Sequence, residues 1–308
     1  MLPANRLATA LAGDNVLSRS ARVLATCLAL AVVGASAGSA WLSSGHRRVA
    51  VDAVRILPTS LPTWFRDHPE EVGDAAVDPD YWKNAATPAL RDGEEPNHFL
   101  DQELLGGAEL PPLRSRYMEL LTRKHLEAER VGFLPYAIIE GFERLTLCFA
   151  EARSRPGDAG IETKCRVVAG WLGHYAADLE QPLHTTVDHR GWMTRPNEPA
   201  TEGTHYRVDA LFTSAAFDRG AALAEVVPET IADPWAAVLA QLAASHALLG
   251  RVRTIEPKLP RIEERSSAPE VVAFAAERYR TTAWWLASLY RSAWQRSAAI
   301  EVPRWSKP

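Results

Sequence analysis

An all-α fold is predicted: a single multi-helix domain over 41–308, following an N-terminal signal peptide at 1–40. Three observations predict it. Six segments repeat apolar residues at helical spacing. No segment sustains the apolar–polar alternation of a half-buried strand. Stretches rich in turn-forming residues, at 86–97, 154–160 and 186–204, separate the helical segments.

The leader comes first. Arg19 and Arg22 supply positive charge, 23–35 is an apolar run of 13 residues, and Ala37-Gly38-Ser39-Ala40 offers a small-residue cleavage site. The run is short of the roughly 20 apolar residues that a membrane span needs. Cleavage after Ala40 leaves a secreted or periplasmic protein that begins Trp41-Leu42-Ser43-Ser44-Gly45-His46. A freed α-amino group and a carbonyl beside an imidazole make a chelating corner.

The helical segments follow in order. Segment 46–56 places Val49, Val51, Val54 and Ile56 at helical intervals, and 113–131 is charged and amphipathic. Segment 133–153 repeats Ile138, Ile139, Phe142, Leu145 and Phe149, and 162–181 is a strong helix that Pro182 should stop. Segments 234–249 and 269–298 complete the set, the last rich in Trp. No internal repeat or low-complexity linker divides the chain.

The chain carries 34 basic and 38 acidic residues; three Arg and one Asp lie in 1–40, so 41–308 carries 31 against 37, a net charge of −6. That excludes a broad basic footprint for duplex nucleic acid, and an anionic substrate needs a local source of positive charge. Cys148 and Cys165 remain after Cys27 leaves with the leader. A turn at Arg155-Pro156-Gly157 would fold their helices antiparallel and bring the thiols together. A Cys148–Cys165 disulfide is expected there, contributing roughly 3 kcal/mol by chain entropy; the alternative is a pair of buried thiols.

Most of the chemistry lies in His174-Tyr175-Ala176-Ala177-Asp178-Leu179-Glu180-Gln181-Pro182-Leu183-His184. His174 and Asp178, four apart, share a helix face and can hold one cation. Glu180 lies off that face. His184 comes from the turn beyond Pro182 and can reach a second ion. His205 and Asp209 repeat the spacing of four, His98 lies in Asn97-His98-Phe99-Leu100-Asp101, and Asp80 follows Asp78-Pro79. Singly, such pairs occur on any helix surface; together they make a ligand set of imidazole and carboxylate suited to zinc. No catalytic serine triad, phosphate-cradling glycine loop or dinucleotide fingerprint competes.

With these motifs in this order, the chain resembles the trinuclear-zinc phosphodiesterases. That family comprises the single-strand-specific nucleases of fungi and plants and the bacterial phosphatidylcholine-hydrolysing phospholipase C. The resemblance covers 41–209 through its ligand motifs. It implies three zinc ions per chain: one held by Asp80, His98, His174 and Asp178; one by the amino nitrogen and carbonyl of Trp41 with His46 and a bridging Asp178; one by His184, His205 and Asp209. Asp78 and Asp74 compete with Asp80 for its place. Asp80 and Asp178 are the implied catalytic residues, and the implied reaction is attack of metal-activated hydroxide on phosphorus.

The substrate branch rests on finer points. The short step from Trp41 to His46 and the final ligand Asp209 resemble the nucleases, and no acidic residue follows Trp41 to meet choline. Phe99 and Asp101 occupy positions that, in the nucleases, stack on and hydrogen-bond a base. Single-stranded DNA or RNA is therefore the expected substrate, with phospholipid as the alternative and a non-catalytic zinc-binding protein as the reading from another class. No protein partner is expected. Two features depart from the nuclease pattern. Val187-Asp188-His189-Arg190-Gly191-Trp192 replaces the family's Gly-Gly-Asn, and the interval from His98 to His174 is long. Arg190 and Arg195 are candidate phosphate contacts.

Overall fold

The long helix α7 (Ala159–Leu179) starts where Asp158 accepts hydrogen bonds from the amides of Gly160 (3.1 Å) and Ile161 (3.2 Å). This cap begins the helix three residues earlier than its apolar pattern suggests. Before it run α1 (Leu42–Arg55), α2 (Pro69–Ala75), α3 (Asp78–Trp82), α4 (Pro88–Glu94), α5 (Arg114–Lys124) and α6 (Leu134–Ser154). After it come α8 (Thr204–Asp209), α9 (Pro234–His246) and α10 (Pro269–Ser297), with shorter helical pieces between, among them Leu249–Ile255. The computed structural model describes residues 41–190, 203–261 and 264–303. The leader, Arg195 and most of the expected turn at 186–204 lie outside the described residues.

The chain is mostly helical, as expected. Among the described residues there is no β-strand, only the isolated bridges Leu100–Gly132 and Ala215–Ser266. No described helix is long and apolar enough to cross a membrane. Helix α7 packs along α6 and against α2, and α10 covers both α6 and α1. Ile138, Leu145 and Phe149 of α6, Ala169, Leu172 and Ala176 of α7, and Phe274, Leu286 and Tyr290 of α10 are buried in one core. Each large apolar side chain there contributes roughly 1.5–3 kcal/mol by burial.

Two expectations are corrected. Segment 113–131 is not one helix. It stops at Lys124, where His125 turns left-handed (φ 55°), and the amides of Leu126 and His125 bond back to the carbonyls of Leu121 and Thr122. This paired closure is a Schellman cap, with Leu126 and Leu121 at its hydrophobic positions, and a histidine fills the place usually taken by glycine. Segment 86–97 is more than a turn: Pro88 opens α4, and a 3-10 turn (Glu95–His98) continues it. The Arg91–Glu95 pair (2.8 Å) spans that junction.

Cys148 on α6 and Cys165 on α7 face each other as expected. Both are thiols, in sulfur–sulfur contact and buried. A covalent bridge between them stays a proposal.

Candidate metal centre

Gly170 is where α7 meets α2. A Cβ there would lie 2.5 Å from the Ala75 Cβ and 2.6 Å from the Val72 carbonyl oxygen, so only glycine permits this approach. The close fit brings His174, one turn later, against the residue after α2: its Nδ1 donates to the Ala76 carbonyl (2.8 Å). The neutral imidazole therefore presents a bare Nε2 to its other side. That Nε2 lies 3.1 Å from His98 Nδ1 and 3.4 Å from Asp178 Oδ2. His98 Nδ1 is itself 2.9 Å from Asp178 Oδ2. The carboxylate of Asp80, on α3, approaches His174 Nε2 at 3.9 Å.

The other oxygen of Asp178 faces elsewhere. Its Oδ1 lies 3.2 Å from His46 Nε2, and His46 stacks over His174 with ring centroids 4.0 Å apart. Two clusters result, His46–His174–Asp178 and Asp80–His98–His174. They share His174, which sequence reasoning did not foresee, and Asp178 also touches His98 of the second through Oδ2. Of the three competing aspartates, Asp80 joins a cluster among the described residues, whereas Asp78 accepts from the Trp171 indole (3.0 Å) and Asp74 is exposed beside Arg47.

The third cluster, His184–His205–Asp209, is built in the same manner. His184 sits on the 3-10 turn Pro182–Thr185, opened by Gln181, whose side chain accepts from the Leu183 amide (2.7 Å). The same Gln181 donates to Asp209 Oδ1 (2.7 Å) and leaves Oδ2 buried without a hydrogen-bond partner, 3.4 Å from His205 Nε2. His184 Nδ1 donates to the His98 carbonyl, and His205 Nδ1 donates to the His189 carbonyl (3.0 Å). A carbonyl oxygen only accepts, so both Nδ1 atoms carry the proton and both Nε2 atoms carry lone pairs. Those two Nε2 atoms stand 2.9 Å apart.

Two lone pairs at that distance repel unless a proton or a cation lies between them. Burial opposes the proton: it pushes His184 well below the usual histidine value and His205 down to about 3. His98 and His174 are lowered by the same cause. Burial also raises Asp178 to about 6 and Asp209 well above the usual carboxylate range. Burial opposes the charge on Asp80 as well, but His174, Lys83 and His46 outweigh it and hold that carboxyl at about 2. Ligands at 2.0–2.1 Å from a tetrahedral zinc are separated by about 3.3 Å, close to the 2.9–3.4 Å contacts within these clusters. Further buried atoms lacking a hydrogen-bond partner include both nitrogens of His46 and Asp178 Oδ1. The donor set therefore fits zinc at all three clusters.

Trp41 lies against this centre. It is fully buried, stacks on Phe212 (3.6 Å, 5°), and its indole donates to the Ala177 carbonyl (2.8 Å). Its carbonyl accepts from the His46 amide (3.2 Å), so its main chain stands at the turn that carries His46. Phe99 is half-buried and near-parallel to the His189 ring, with centroids 6.3 Å apart. Asp101 is buried, 4.0 Å from His189, and burial with Glu103 nearby raises its carboxyl to about 7. Gly132 (φ 92°) sets this wall, since a Cβ there would lie 2.1 Å from the Phe99 carbonyl oxygen.

Sequence reasoning missed three contributors. Lys83 is buried and pairs with Asp80 (2.8 Å); its spacing of three from Asp80 on a short helix was the available signal. His189 was noted only as a departure from the family pattern. Tyr175 packs edge-on against both His98 and His174. The side chain of Arg190 lies outside the described residues. In comparisons with protein-family models, curated proteins and solved structures, nothing matches this chain.

Proposed function

We propose that the protein is an exported zinc-dependent phosphodiesterase of the nuclease type, acting on single-stranded DNA or RNA. The observation that carries this reading is the pair of bare, facing Nε2 atoms of His184 and His205, 2.9 Å apart, beside two further clusters that share His174. Asp80, His98, His174 and Asp178 would hold one ion, His46, Asp178 and the Trp41 main chain another, and His184, His205 and Asp209 the third. Zinc bound there supplies Lewis-acid chemistry, lowering the pKa of water and stabilising charge on phosphoryl and leaving oxygens.

The protein side chains do the rest. Asp80 stays ionised at neutral pH and accepts a hydrogen bond from the attacking water, which orients it toward phosphorus. Lys83 holds that carboxylate in place. Asp178 gives one oxygen to each of two clusters and so fixes their separation. Phe99 offers a face for a base and Asp101 a hydrogen-bonding group, which together grip an unpaired nucleotide.

Trp41 links this chemistry to export. Its backbone is left-handed (φ 35°), a conformation that bulky side chains avoid. Cleavage after Ala40 removes that torsion and converts an amide nitrogen, whose lone pair is delocalised, into an amine able to bind zinc. The reading is tested on zinc-loaded 41–308 with single-stranded DNA, RNA, phosphatidylcholine and a small phosphodiester. Hydrolysis of the nucleic acids is the expected result. Cleavage of phosphatidylcholine alone would move the protein to the phospholipase branch. A zinc-loaded protein inert toward all four would make the centre a non-catalytic zinc site.

A further inference from the structure

Lys83 stands just past the end of α3, and its side chain is only 5% exposed. A buried ammonium needs a matched anion, because losing its water costs it far more than it costs an apolar group. Lys83 pairs with Asp80 on α3: its Nζ lies 2.8 Å from Asp80 Oδ1. That same oxygen is the one that faces His174 Nε2, at 3.9 Å. An ion held between Asp80 and His174 would therefore share one carboxylate oxygen with an ammonium.

The three clusters are alike in composition and differ in charge. Each has two histidines and one aspartate, and a ligating imidazole is neutral. The Asp178 carboxylate meets His46, His98 and His174, and the Asp209 carboxylate meets Gln181 and His205. None of those contacts is with a lysine or an arginine. With the aspartates ionised, His46–His174–Asp178 and His184–His205–Asp209 each carry −1, whereas Asp80–His98–His174 with Lys83 is neutral. A divalent cation gains less at a neutral site than at an anionic one, and the low dielectric of a buried site widens the difference. The ammonium is felt beyond Asp80 as well. After burial, it is among the groups that hold His98 and His174 below the usual histidine value.

We infer that Lys83 makes the Asp80–His98–His174 cluster the weakest of the three zinc sites and the last to fill, so that this one side chain sets the zinc level at which the centre is complete. The inference rests on the zinc reading of the proposed function and adds an order of assembly to it. It also separates two effects of Lys83 on one carboxylate. A tether strengthens zinc binding by holding a ligand in place, and a competing charge weakens it. Repulsion between charges that share a buried oxygen exceeds what one hydrogen bond contributes to orientation, so the net effect is weaker binding.

The test measures zinc binding and not catalysis. Chelator-stripped 41–308 is titrated with zinc in competition with a chromophoric chelator, at constant pH and ionic strength. About three ions are expected, one held more weakly than the others. Lys83→Met removes the charge at similar volume. It should tighten the weak ion by about 10- to 100-fold, the scale of changes beside a metal ligand, and shift the other two far less. Lys83→Gln can still donate to Asp80 and serves should Lys83→Met fail to fold. Lys83→Arg keeps the charge and should keep the weak ion weak. Asp80→Asn identifies the cluster: it should lose the weak ion, and adding Lys83→Met to it should change neither remaining ion. Unchanged or weaker binding of the weak ion in the neutral variants would overturn the inference, and so would an equal tightening of all three ions. A parent that holds three ions with equal affinity overturns the inference alone. A parent that binds no zinc overturns the zinc reading together with it.

Discussion

Asp178 has two oxygens in two clusters and no exposure to solvent. Asparagine keeps the shape but is neutral and has one oxygen, so it cannot serve both. Asp178→Asn should therefore lower bound zinc by at least one ion and activity by roughly 100-fold or more, above the loss typical of outer-shell changes. Glu180 is the contrasting position. It is buried against Arg278 (3.1 Å) instead of lying free of the core, yet burial raises it to about 7, so its charge is weakly held at neutral pH. Glu180→Gln should leave zinc content in place and lower stability by about 1 kcal/mol, visible as a small fall in Tm. Equal zinc loss in both variants would refute the bridging role of Asp178.

Asp101 carries a pH prediction. Its carboxyl sits at about 7 in the fold against about 4 in the unfolded chain. Folding then takes up a proton between those values, so the stability it contributes is complete below pH 4 and is lost as pH rises through 7. Asp101→Asn lacks that dependence. Its Tm relative to the parent should be higher at pH 8 than at pH 5; a difference independent of pH would contradict a buried, proton-holding Asp101.

At the scale of elements, the centre depends on how closely α2 and α7 approach. Gly170→Ala inserts a methyl against Ala75 and Val72. Overpacking of this kind costs about 1–3 kcal/mol, and it moves Ala76 from His174. Reduced Tm with reduced zinc content is expected, whereas an unchanged zinc content would show that His174 is placed by something else. Much of this level was legible in sequence. The helices at 133–153, 162–181, 234–249 and 269–298 carry enough apolar repeats to reveal their buried faces. The break after Lys124 was not legible, because a histidine took the left-handed position that glycine would have advertised. Lys83 and the sharing of His174 were hidden for a different reason. They arise where α3, the 3-10 turn Glu95–His98 and α7 converge, and spacing within one segment does not report such convergence.

At the scale of the whole molecule, the proposed function joins maturation and chemistry at Trp41. A version of 41–308 with one extra Gly before Trp41 retains every ligand side chain and loses only the free amine at the right place. It should bind about one zinc ion fewer and hydrolyse phosphodiesters far more slowly than the version that starts at Trp41. Equal zinc content and turnover would remove the N-terminus from the ligand set. The candidate ligands were legible because His174 with Asp178, and His205 with Asp209, lie in spacings of four, whereas Tyr175 beside them is a residue that sequence treats as ordinary core. The most direct measurement of the central claim returns zinc stepwise to chelator-stripped 41–308 and follows hydrolysis of single-stranded DNA against bound metal. Activity should appear only as zinc fills the clusters and should level off near three ions per chain. Full activity without zinc, or a plateau at one ion, would contradict the three-ion centre.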